Sequence, residues 1–191
     1  MLVLLVWPDA MQALSGINPE THVNRLSSVR ELLDADWCAM TERVLAAPDD
    51  ETRVDLIEAF LEPRWRASRP ERNERALSFS NWTTELAARS GNSGSGRSSR
   101  QVERRVRASS GLSMRTLRGL VRADRCFNAA MAQVATHPRG RVAWADVAVD
   151  AGYSDQPHLC RELRRFTGFS PQALLRGIRG DEAFWVYRAW G

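Results

Sequence analysis

The chain has 191 residues, 43% of them hydrophobic, enough to bury a core in one large domain or two small ones. All 27 basic residues are arginine and the formal net charge is +4. Arginine suits planar, bidentate contacts with phosphate or guanine, although a genome of biased base composition would give the same usage. Three scattered cysteines, Cys38, Cys126 and Cys160, exclude a disulfide framework and a CxxC pair and point to a reduced, cytoplasmic protein.

The charge is unevenly placed. Residues 97–179 hold 16 Arg against 6 acids, whereas residues 1–96 hold 10 Arg against 15 acids. A basic C-terminal half is expected to meet a polyanion: DNA, RNA or an anionic membrane surface.

Met1–Trp7 is apolar, too short to span a bilayer, and lacks the charged start of a signal peptide. It reads as a buried strand. A strand at the first residue has no sequence neighbour before it, so the chain is expected to start partway through a domain. Pro8-Asp9 then opens a helical segment. Leu32, Leu33, Trp37 and Met40 form one apolar stripe, and Leu56, Ile57, Phe60 and Leu61 form another; both read as core packing. Pro63, Pro70 and the polar run 64–75 look like a domain boundary. Asn81 and Thr83 are expected caps of a helix Thr84–Arg89. Ser90–Ser99 is Gly/Ser-rich and reads as a flexible loop without a phosphate-loop lysine.

From Arg100 the chain becomes periodic again. Val102 and Val106 share a face of a helix ending near Gly111. Ser113 is expected to cap a longer helix carrying Leu117, Val121, Phe127, Met131 and Val134, which ends at His137-Pro138-Arg139-Gly140. Trp144, Val147, Ala148 and Ala151 carry the next helix, up to Gly152. Leu159, Leu163 and Phe166 form the buried stripe of the one after. Gly168-Phe169-Ser170-Pro171 breaks it and starts a last helix through Leu174 and Leu175. Phe184, Trp185, Tyr187 and Trp190 make an aromatic tail, expected to pack on the N-terminal half, with a partner contact as its other role.

Two short helices joined by a tight turn, Ala143–Pro171, with an arginine-rich second helix, form a helix-turn-helix pattern. A shift of 57 residues lays Val102 on Leu159, Val106 on Leu163, Gly111 on Gly168, Leu112 on Phe169, Ser113 on Ser170 and Leu117 on Leu174. Arg104 and Arg107 fall on Arg161 and Arg164. The matched apolar positions lie on the expected buried faces and the arginines opposite them, so two copies of one unit are expected, joined by the helix Met114–Ala135.

The run Ala151-Gly152-Tyr153-Ser154-Asp155-Gln156-Pro157-His158-Leu159-Cys160-Arg161-Glu162-Leu163-Arg164-Arg165, followed by Gly168-Phe169-Ser170-Pro171, resembles the C-terminal signature of AraC-type transcription regulators. Arg100–Arg105 with Gly111-Leu112-Ser113 is similar to that family's first recognition helix and the start of its linker helix. The resemblance spans Thr83–Arg176. It implies a mainly α fold with two homeodomain-like helix-turn-helix subdomains joined by a linker helix, preceded here by a small helical region with one strand. The expected division is 1–75, a partial N-terminal regulatory region; 76–180, the DNA-binding domain, with helix-turn-helix units at 82–111 and 142–168 and the linker helix at 113–136; and 181–191, the tail. The family's sensor domain is usually a β-barrel, so a shortened N-terminal domain is expected. The loop 91–98 is longer than the family's turn. Trp82 and Leu86 are expected to pack the first unit's leading helix against Val102 and Val106.

The resemblance also implies the site. On the second recognition helix Gln156, His158 and Arg161 match base-reading positions; on the first, Arg100, Glu103 and Arg104 do. Arginine can bond guanine O6 and N7, glutamine adenine N6 and N7, and glutamate cytosine N4. His158 has packing or capping near the helix start as its other role, and Glu103 has pairing with Arg107. Arg107, Arg164 and Arg165 are read as phosphate contacts, together with Ser113 and Ser170 at helix starts. No catalytic set, metal site or cofactor is expected. Double-stranded DNA is the expected partner, with RNA polymerase and a second copy of the chain as further candidates, no membrane partner, and an effector of unknown identity. The function so read is a sequence-specific, non-enzymatic transcription regulator, activator or repressor, reading adjacent major-groove segments. Its rivals are a truncated regulator acting as a protein-interaction module, and a small-molecule-responsive switch.

Overall fold

The computed structural model describes residues 2–68, 79–92, 98–137, 140–185 and 187. Its contacts divide the chain into two compact units, Met1–Leu77 with Glu85–Met114, and Ser78–Thr84 with Arg115–Gly191. Both are helical, and among the described residues there is no strand. The strand expected at Met1–Trp7 is therefore corrected. Residues 2–7 have no regular structure, and Leu2, Val3, Leu4 and Leu5 are each 41–54% exposed. A strand needs a neighbour for its backbone amides and carbonyls, and the described helices offer none.

The first unit begins with α1 (Pro8–Ser15), α2 (Pro19–His22), α3 (Val29–Leu32), α4 (Ala35–Ala46) and α5 (Asp50–Ser68). Asn18, Ser28 and Asp34 cap α2, α3 and α4 by accepting from first-turn amides. The two expected apolar stripes meet: buried Trp37 packs edge-on against Phe60 at 4.9 Å between ring centroids. Arg64 lies 3.7 Å over the Phe60 ring and pairs with Asp36 at 2.8 Å. Pro63 and residues 64–68 of the polar run, expected at a domain boundary, instead lie inside α5; the rest of that boundary, Pro70 included, falls outside the described residues.

Next comes α6 (Phe79–Asn92). Asn81 and Thr83, expected as caps, are inside it, and Thr83 Oγ1 donates back to the Phe79 carbonyl at 2.9 Å. Trp82 and Leu86 are buried as core residues. Ser90 and Gly91 continue the helix, so the Gly/Ser run contributes helix at its start and at Ser99; residues 93–97 lie outside the described set.

α7 (Ser99–Ser110) packs against α1 and α2 within the first unit. α8 (Met114–Thr136) follows, then in the second unit α9 (Trp144–Asp150), α10 (Gln156–Thr167) and α11 (Pro171–Gly180). The expected repeat is visible in detail. α7 and α10 have 12 residues each and begin 57 residues apart. Gly111 (φ 75°) and Gly168 (φ 80°) end them in the left-handed conformation, donating to the Arg107 and Arg164 carbonyls. Ser110 Oγ donates to the Val106 carbonyl at 2.6 Å and accepts from the Leu112 amide at 3.1 Å; Thr167 Oγ1 does the same with Leu163 at 2.8 Å and Phe169 at 3.1 Å.

The two glycines differ in surroundings. A Cβ on Gly111 would stand 2.7 Å from the Pro19 carbonyl oxygen, whereas one on Gly168 would meet nothing within 4 Å. Gly168→Ala is expected to cost about 1–2 kcal/mol, the left-handed penalty alone. Gly111→Ala is expected to cost at least about 1 kcal/mol more, because α2 must shift. Urea denaturation of the two variants checks this; equal losses would refute the difference.

The aromatic tail was expected against the N-terminal half. Within the second unit, Phe184 packs on Phe169 at 4.9 Å and on Tyr187 at 5.9 Å between ring centroids, over Gly177 of α11, where even a Cβ would be 2.5 Å from the Phe184 ring. The missing side chain at position 177 makes room for the ring. Trp190 lies outside the described residues.

Candidate nucleic-acid interface

The second unit builds its helix pair on α8. The large apolar positions Val121, Phe127, Met131 and Val134 are only partly buried. The buried seam also uses small residues: Gly119, Ala123, Cys126 and Ala130. Their spacing keeps them on one face of the helix. Into it pack Val147, Ala148, Ala151, Tyr153, Leu159 and Leu163, each at most 4% exposed. The side chains of Phe166 and Glu162 lie over Gly119, so that a Cβ there would stand 2.9 Å from Phe166.

Local chemistry shapes the turn. The Tyr153 amide donates to the Ala148 carbonyl at 2.8 Å, and Gly152 adopts φ 85°. Asp155 caps α10 by accepting from the His158 amide at 2.6 Å, and Pro157 occupies the first turn, where no amide is needed. Gln133 Oε1 accepts from the Ala143 amide at 3.0 Å, and Trp144 Nε1 donates to Gln172 Oε1 at 3.0 Å. These bonds fix α9 to α8 and α11.

One ion pair orients α10. Arg122 of α8 donates to both carboxylate oxygens of Glu162, from Nη2 at 2.7 and 2.9 Å, with side chains 31% and 14% exposed. This bidentate, partly buried pair is the strong kind. The Glu162 hydrogen bonds raise the Arg122 guanidinium above its ordinary value, against the opposing effect of burial. The same guanidinium lies 5.4 Å from the Tyr153 ring centroid. Burial pushes the Tyr153 phenol up, and its hydroxyl has no hydrogen-bond partner among the described residues. Burial also pushes the Cys126 thiol up to about 12, so it stays a neutral packing group.

With Leu159 and Leu163 turned inward, Gln156, Arg161, Arg164 and Arg165 are left exposed along α10. Arg161 and Arg164 form no ion pair among the described residues. His158 is half-buried: its amide is held by Asp155, Nδ1 lies 3.1 Å from Ser154 Oγ, and its ring packs edge-on against Tyr153 at 5.3 Å. Ser170 is the N-cap of α11, accepting from the Ala173 amide at 3.3 Å.

In the first unit, Arg100, Arg104 and Arg107 are exposed on α7, with Val106 and Ser110 buried beneath. Glu103 is half-buried. Both its carboxylate oxygens lie 3.3 Å from the Met114 amide they accept from, and Arg107 is 3.8 Å away. A negative group at the N-terminus of α8 suits the helix dipole. Ser113, also half-buried, stands at that helix start. Sequence reading missed Asp155, Arg122 and Glu162 as positioning residues. Asp before a first-turn proline is a visible capping signal; a pair 40 residues apart is not.

Among the described residues no group of side chains is arranged for a metal, and no helix is long and apolar enough to cross a membrane. No curated protein and no solved structure matches the chain. Residues 132–176, from the last turns of α8 to the middle of α11, match the model of bacterial regulatory helix-turn-helix proteins, AraC family. The match covers the second helix pair and stops short of α7. Residues 132–176 therefore carry an AraC-family helix-turn-helix domain, which supports a DNA-binding transcription regulator.

Proposed function

We propose that this protein is a sequence-specific transcription regulator that places α10 in a DNA major groove and α7 in an adjacent groove segment. The exposed Arg161, without an ion pair among the described residues and opposite the buried Leu159 and Leu163, is the observation that carries the reading. Arg161 would take guanine O6 and N7, and Gln156 adenine N6 and N7. His158, held by Ser154 and Tyr153, contributes at the edge of the contact. On α7 base reading falls to Arg100 and Arg104, since Glu103 is engaged by the Met114 amide. Arg107, Arg164 and Arg165, with Ser113 and Ser170, would hold phosphates and set the register. The near-identical ends of α7 and α10 support two like units.

Binding should weaken steeply with salt. The three phosphate-contacting arginines alone give a log–log slope of about −2.7, and Arg164→Ala should flatten it by about 0.9. A salt-insensitive complex would overturn the account. Selection from a random DNA pool is expected to return one motif with two half-sites. If no sequence is enriched and no electrophoretic shift is seen, the protein is an interaction module instead.

A further inference from the structure

The helix α8 carries its positive charge on one flank. Its arginines, Arg115, Arg118, Arg122 and Arg125, recur at intervals of three, four and three residues. At about 100° per residue they fall within an arc of about 80°. That arc lies beside the buried seam of Gly119, Ala123, Cys126 and Ala130. Asp124, the single acid of α8, is on the other flank, where it lines an apolar cavity with Leu120 and Phe127.

The arginine flank has a direction. Arg122, inside the row, is bound to Glu162 of α10, lies 5.4 Å from the Tyr153 ring centroid, and has its Cδ 3.8 Å from where a Cβ on Gly152 would stand. The row therefore follows the side of α8 that meets the turn before α10 and the neighbour of Arg161. Glu162 is the single acid of α10, and Arg122 already balances it. Arg115, Arg118 and Arg125 are exposed and form no ion pair among the described residues, while Arg125 Nη2 reaches Ser80 Oγ at 3.5 Å. Arginines three apart on a helix repel one another, and a polyanion laid along the row relieves that repulsion.

We infer that this flank of α8 is a phosphate-contacting surface, with Arg115, Arg118 and Arg125 against the DNA strand beside the groove that α10 reads. The contact rests on the DNA-binding reading of α10 and makes α8 part of the binding surface as well as the support of α10. The row is about 15 Å long, enough to span several phosphates. Phosphates carry no sequence information, so these side chains strengthen binding to every duplex alike.

The test is fluorescence anisotropy of the full chain with two labelled duplexes, one of mixed sequence and one enriched from the random pool, over a range of sodium chloride concentrations. Arg115→Gln, Arg118→Gln and Arg125→Gln should each flatten the log–log salt slope by about 0.9, and the triple variant by about 2.7. Each should weaken both duplexes by the same factor. Arg118→Lys keeps the charge and should keep the slope. Arg43→Gln, which removes the same charge from the exposed surface of α4, should leave the slope unchanged. Glutamine is a good helix former, and circular dichroism establishes that the variants are folded; if the triple variant is not, the single variants decide. Unchanged slopes in the α8 variants, with binding by the parent intact, would overturn this surface alone. So would an equal effect of Arg43→Gln, which would assign the slope to net charge, or a loss confined to the enriched duplex. Failure of the parent to bind either duplex would overturn the DNA-binding reading and this surface with it.

Discussion

Arg161→Ala is expected to weaken binding to the selected DNA site by about 1–3 kcal/mol, roughly five- to two-hundred-fold, while affinity for random DNA changes far less. Preference at one base pair should relax. Arg161→Lys should recover part of the affinity and little of the discrimination, because an ammonium lacks the planar fork. Stability should stay within about 0.5 kcal/mol of the parent, since the side chain is exposed and has no ion pair among the described residues. Competition shifts against specific and random duplexes read all of this. Equal losses on both duplexes would make Arg161 a phosphate contact and move base reading elsewhere on α10.

Leu159→Ala should have the largest effect on stability, about 2–5 kcal/mol. Leu159 is fully buried in the cluster formed by α8, α9 and α10, with Val147, Tyr153 and Cys126 as fellow members. Truncation leaves a hole that neighbours held by the Arg122–Glu162 pair close only in part. The equivalent residue in the other copy, Val102, is only partly buried, so Val102→Ala should cost about 1 kcal/mol or less. Urea denaturation followed by circular dichroism would show the contrast. A Leu159→Ala loss no larger than that of Val102→Ala would mean that α10 is not anchored through this cluster.

Much of the helix pair was legible because its signals are local. Apolar residues at helical spacing, glycines after the last turn and a serine before a proline fixed α10, its ends and the start of α11. The same logic carried α7, since Gly111 and Val106 repeat Gly168 and Leu163. The failures were equally local in origin. Met1–Trp7 has strand composition, yet composition supplies no pairing partner, and its leucines lie exposed. Asn81 and Thr83 are good caps in isolation, but α6 begins before them. The small-residue seam of α8 carried no strong hydrophobic signal, although Gly119 and Ala123 let α10 side chains approach.

The sequence by itself determined the helical periods, the 57-residue repeat, the helix-turn-helix pattern and the identity of the arginines opposite its buried stripe, because each depends on residues within a few turns of one another. Only the tertiary structure decided which of them remain available. It engaged Glu103 with the Met114 amide and seated Glu162 on Arg122, while leaving Arg161 exposed without an ion pair among the described residues. It also placed Arg105 in the lining of a cavity of the first unit. The reason is physical: a side chain's partner is set by which helices pack together, and that packing joins residues tens of positions apart that no local pattern connects.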